Sequence, residues 1–137
     1  MSAAVLKTAS DIENDLRSLS VESRKKYPDL KQAAERAILK LRYKLTTDNK
    51  DTSSADANVP LAAVLQSDVV LRPFLLACGT KVPKLTILAL GAVQKLLSID
   101  PITPRFLAAV IGTLRIQAET TDDKVQLKIL QTLLLVI

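Results

Sequence analysis

The sequence predicts an all-α fold in which about six to seven helices stack as a helical repeat, an α-solenoid of armadillo or HEAT type. Three observations predict it. First, a segment recurs. Pro28, Leu30, Ala34, Ala37, Ile38, Lys40 and Leu41 align with Pro83, Leu85, Ala89, Ala92, Val93, Lys95 and Leu96. A weaker copy begins at Lys124, where Lys84, Leu85, Ile87, Leu90 and Val93 return as Lys124, Val125, Leu127, Leu130 and Leu133 after about 40 residues, the period of such repeats. Second, the core is aliphatic: 48% of the residues are apolar but only 3% are aromatic, a balance that suits helix packing better than a β-sandwich. Third, apolar residues recur at spacings of three and four, with no alternation of strand type.

Val5, Ala9, Ile12, Leu16 and Leu19 form one stripe on a first helix, with Ser2 as its candidate cap. That helix ends near Lys26, because the residue before Pro28 avoids the α conformation. Pro28 suits the first turn of a second helix, whose inner face is Leu30, Ala33/Ala34, Ala37/Ile38, Leu41 and Leu45. Residues 46–58 contain no large apolar side chain, and they are expected to form a mobile loop inserted between repeats. Pro60 opens a short helix with Leu61, Val64 and Leu65 on one side. Asp68 is a candidate cap for Val69 to Ala77, with Pro73 near the first turn and Gly79 as a left-handed terminator. Pro83 opens a helix that is apolar almost all round, as expected of one buried between layers. Thr103 and Pro104 have the N-cap and first-position chemistry of the next helix, which turns Phe106, Leu107, Val110, Ile111 and Leu114 inward. The segment 121–123 caps a last helix with the stripe Val125, Ile129, Leu133 and Ile137.

One domain, residues 1–137, accommodates all of this. A run such as Leu133 to Ile137 at the end of the chain has the pattern of a core face, whereas solenoids finish on a polar cap. The expectation is therefore an N-terminal domain cut from a longer protein. No basic-then-apolar leader stands at the start, and the apolar run 129–137 is far shorter than the ~20 residues that span a bilayer.

Composition excludes several chemistries within this chain. There is no histidine, so Ser-His and Cys-His nucleophile pairs and Cys/His zinc sites cannot form. The one cysteine, Cys78, lies among Phe74, Leu75, Leu76 and Ala77 and reads as a small buried apolar residue. A single cysteine cannot close an internal disulfide, which fits a reducing compartment. Gly79, Thr80 and Lys81 lack the order and the earlier glycine of a phosphate-binding loop. Asp122 and Asp123 are explained by a helix start, and Asp11 and Asp15 by a solvated face. The expected reading is no enzyme, no cofactor, no metal and no small-molecule substrate.

Charge is the one uneven property. The net charge is +5, and all of it falls between Val21 and Lys44, where eight basic residues face three acidic ones. The candidate binding residues are Arg24, Lys25, Lys26, Lys31, Lys40 and Lys44, with Lys81 and Lys84 added from the later turn. A solvated helix face accounts for such a cluster. So does an acidic protein partner or an anionic membrane surface, where each Lys or Arg is worth about 1 kcal/mol. Nucleic acid is disfavoured, because only Tyr27 and Tyr43 stand near as stacking residues and no nucleic-acid module is present.

Three blocks carry a family resemblance. Residues 16–35 (LRSLSVESRKKYPDLKQAAE) resemble the opening of the Mon-two family of monensin-sensitivity scaffolds. Residues 73–85 (PFLLACGTKVPKL) with 92–97 (AVQKLL), and residues 123–134 (DKVQLKILQTLL), resemble segments shared with the large Arf guanine-nucleotide exchange factors. The stretch 46–58 departs from the pattern. The resemblance implies an armadillo-like dimerisation and cyclophilin-binding (DCB) domain, the N-terminal part of a scaffold without the catalytic exchange domain. It further implies self-association or docking to the following helical domain, contact with an Arf-like small GTPase, and a Dopey-type partner. The implied location is cytoplasmic, peripherally associated with trans-Golgi and endosomal membranes.

Overall fold

A computed structural model describes residues 3–48, 60–99 and 102–136. Among these residues there are seven helices and no strand: α1 (Ala3–Ser23), α2 (Pro28–Asp48), α3 (Leu61–Leu65), α4 (Asp68–Gly79), α5 (Pro83–Leu97), α6 (Pro104–Gln117) and α7 (Asp123–Val136). The candidate cap Ser2 lies outside the described residues.

Local chemistry sets most of the helix ends. The α1 stripe Ala9, Ile12, Leu16 and Leu19 is fully buried, and Val5 packs partly against it. Pro83 and Pro104 occupy the first turns of α5 and α6, where a missing N–H costs nothing. The Thr103 side chain accepts a hydrogen bond from Phe106 N at 3.2 Å, and Asp122 Oδ1 accepts one from Val125 N at 3.0 Å, so each caps the helix that follows.

Several expectations change. Helix α2 continues through Asp48, so residues 46–48 of the expected loop are helical, and residues 49–58 lie outside the described residues. Asp68 is the first residue of α4 rather than its cap, and its carboxylate meets Arg105 of α6 at 2.6 Å. Pro73 sits inside α4, past the first turn. Gly79 is the last helical residue and is not left-handed; the positive φ belongs to Lys81, at 61°. Ile111 faces partly outward at 39% exposure, because α6 packs through Phe106, Val110 and Leu114 instead.

The helices form two layers. In one, α2 packs against α4 and α4 against α6; in the other, α1 packs against α5 and α5 against α7. Lys84 reaches Glu22 and Lys95 reaches Asp15, at 3.0 and 2.9 Å, so α1 and α5 run antiparallel. In contrast, α5 and α7 run parallel: Gly91 faces Lys128, and the Gln94 amide donates to Thr132 Oγ1 at 3.1 Å. The pairs α4–α5 and α6–α7 are therefore successive repeats in one register, while α1–α2 is attached in the reverse sense.

This corrects the repeat alignment in one respect. The matched apolar positions of α2 and α5 are all buried, yet α2 lies in the opposite layer from α5 and α7. The shared pattern records that both helices are covered, which period alone reports without saying by what. The apolar run Leu61–Gly79 is long enough to cross a membrane by composition, but Gln66 and Ser67 break it and 56% of it is buried in this fold. Buried Gln66 uses its side-chain oxygen to accept from Thr103 N at 2.8 Å, tying that break to the start of α6.

Candidate interaction surfaces

The expected binding residues do not form one site. Arg24, Lys25 and Lys26 are exposed on the turn between α1 and α2. The Lys84–Glu22 contact brings the start of α5 to the end of α1, so Lys81 and Lys84 stand at the same end of the stack as that turn. Lys31 is half-buried one turn into α2 and pairs with Glu35 at 3.6 Å. Lys40 is exposed but lies about 18 Å further along the helix axis from Pro28. Lys44 is only 4% exposed and does not belong with the exposed cations. A signal for this stood in the sequence: Leu30, Ala34, Ala37, Leu41 and Lys44 continue one four-three spacing, and a lysine stem can occupy an apolar stripe.

A second surface is apolar. On α7, Val125, Ile129 and Thr132 are buried toward α5, and Thr132 Oγ1 also donates to Lys128 O at 2.8 Å. The opposite side of the same helix carries Leu127, Leu130 and Leu134, exposed by 57%, 59% and 75%. Leu90, the residue matched to Leu130, is 1% exposed, because α5 has helices on both sides in its layer. Helix α7 thus has the composition of an interior helix, but among the described residues only one neighbour in its own layer. The weak third copy in the sequence held this signal, though periodicity alone did not say which leucines remain uncovered.

Cys78 is 1% exposed, and burial pushes its thiol up to about 12 despite the opposing charge of Lys81. Asp122 caps α7 and Asp15 pairs with Lys95, so these carboxylates have structural partners. Among the described residues, no three Asp, Glu or Cys side chains converge as a metal site would require. What the surface offers is a cationic end and an apolar helix face, both suited to binding macromolecules.

The chain is similar to known proteins along nearly its whole length. The family described as DCB, the Mon2/Sec7/BIG1-like dimerisation and cyclophilin-binding domain, matches residues 3–137. A relative from Homo sapiens, Protein MON2 homolog, is 36% identical over 134 residues, covering 98% of this chain and 7% of the relative. The homolog from Xenopus laevis is 34% identical over 134 residues, with the same coverage of 98% and 7%. That from Drosophila melanogaster is 29% identical over 133 residues, 97% of this chain and 7% of the relative. The chain therefore spans 7% of the length of these relatives. No solved structure matches it.

Proposed function

Since this chain belongs to the Mon2/Sec7/BIG1-like dimerisation and cyclophilin-binding domain family, we propose that it is a non-enzymatic interaction domain of a peripheral Golgi–endosome trafficking scaffold. Its mechanism is display. Two packed layers hold helix faces rigid, and a rigid face binds without paying for its own ordering. Self-association is the leading use, with an Arf-like small GTPase or a Dopey-type protein as further partners.

The observation that carries it is the α7 face, where Leu127, Leu130 and Leu134 stand open in a helix whose other side is core. A contiguous apolar stripe of this kind marks an interaction surface. The family description, which names dimerisation, points the same way. Light scattering of the purified chain across a concentration series tests it. A mass that rises to twice the monomer in the native protein, and stays monomeric in Leu130→Asp, is expected. A native chain that remains monomeric at every concentration refutes self-association through α7.

A second reading is favoured by a separate observation, the gathering of Arg24, Lys25, Lys26 and Lys81 from two turns at one end of the stack. Clustered cations at one pole suit an anionic bilayer. Sedimentation with phosphatidylserine vesicles, lost on adding salt or on reversing Arg24, Lys25 and Lys26, supports it; absence of binding removes it.

A further inference from the structure

A groove between α2 and α4 lies apart from both surfaces above. Asp29 and Arg36 on α2 and Asp68, Val69, Arg72 and Leu76 on α4 line a recess of about 460 Å³. Leu39 follows Arg36 by three residues on α2 and is 65% exposed, so the apolar wall extends beyond the recess.

The charges there are unevenly satisfied. Asp68 on the rim already holds Arg105 at 2.6 Å, and Glu35 holds Lys31. Arg36 and Arg72 line the groove without an acidic partner among the described residues. With Asp68 offset by Arg105, Asp29 is the one remaining acid of the lining against Arg36 and Arg72, so the groove carries a small positive excess. Two guanidinium groups on facing helices, with apolar side chains between and beside them, are complementary to carboxylates carried on an apolar stripe.

We infer that the α2–α4 groove docks an acidic amphipathic helix of a protein partner, whose carboxylates pair with Arg36 and Arg72 and whose apolar side chains cover Leu39, Val69 and Leu76. A helix fits better than an extended strand, because the walls are two helices and there is no sheet edge among the described residues. The 12 residues of α4 extend about 18 Å, enough to seat about three turns of a partner helix. The inference rests on reading the chain as an interaction domain, but it concerns a surface separate from α7.

The probe is a fluorescein-labelled amphipathic peptide of about 16 residues with a leucine stripe flanked by glutamates, its control the same peptide with lysines in their place. Anisotropy is expected to show saturable binding of the glutamate peptide only, weakening as salt is raised. The double variant Arg36→Glu, Arg72→Glu is expected to weaken it at least tenfold, on the order of 1.4 kcal/mol. Leu39→Ser, an exposed position, weakens it through the apolar contact alone and keeps the test informative if the double variant unfolds. Leu130→Asp leaves it unchanged, so failure of α7 to self-associate and failure of this groove are read separately. Equal binding of the lysine peptide, no saturable binding below about 1 mM, or indifference to the Arg and Leu39 variants overturns the inference. Vesicle binding that the double variant abolishes, in a chain that binds neither peptide, assigns the groove to lipid and likewise overturns it.

Discussion

Replacing Gly79 by alanine has opposite expected effects according to where the backbone turns left-handed. If Gly79 itself terminated α4 with positive φ, alanine there would cost about 1–2 kcal/mol, the penalty of a left-handed residue with a Cβ. In the structure Gly79 is helical and exposed, and a Cβ built on it meets nothing within 4 Å. Alanine therefore removes glycine's backbone entropy cost and gains about 0.5–1 kcal/mol. The two geometries differ by roughly 2 kcal/mol and in sign. The left-handed position is Lys81, at φ 61°. Lys81 already carries the cost of a Cβ at positive φ; Lys81→Val adds β-branching, which that region tolerates less well, and is expected to lower stability further. Urea denaturation followed by far-ultraviolet circular dichroism reads both variants as midpoint shifts at constant slope. In thermal melts, Gly79→Ala is expected to raise Tm by about 2–4 °C. A Gly79→Ala variant less stable than the native chain, or a Lys81→Val variant as stable as it, would show that the α4–α5 turn is placed wrongly.

Local contacts set the remaining outcomes. Thr103→Ala removes the side-chain oxygen that accepts from Phe106 N and is expected to cost about 1 kcal/mol in urea denaturation, whereas Thr103→Ser, which keeps the cap, costs much less. Cys78 in the folded chain should resist iodoacetamide at pH 8 and react fully in urea, followed by mass spectrometry; fast modification of the native chain would contradict its burial. The same thiol contributes to alkaline sensitivity. Its folded pKa is raised from 9.0 to about 12, so the folded chain keeps a proton that the unfolded chain loses, and this contribution to stability falls as pH rises from 9 toward 12.

Whatever a single helix settles within its own few turns was legible before any neighbour was known. The stripe Ala9, Ile12, Leu16 and Leu19 could bury only as a helix, and Thr103 with Pro104 started α6 where their hydrogen-bonding and φ preferences place a start. The missing histidines and the family blocks were legible for the same reason, since they require no neighbour. Which helix lies beside which came from the packing alone. It put α2 opposite α5 although their apolar positions match, because a covered face looks alike from either layer. It took Lys44 out of the cationic set and left Arg36 and Arg72 facing one groove, because exposure depends on the helix across the way. And it left Leu130 open where its counterpart Leu90 is closed, because burial belongs to the contact between helices and periodicity to each helix alone.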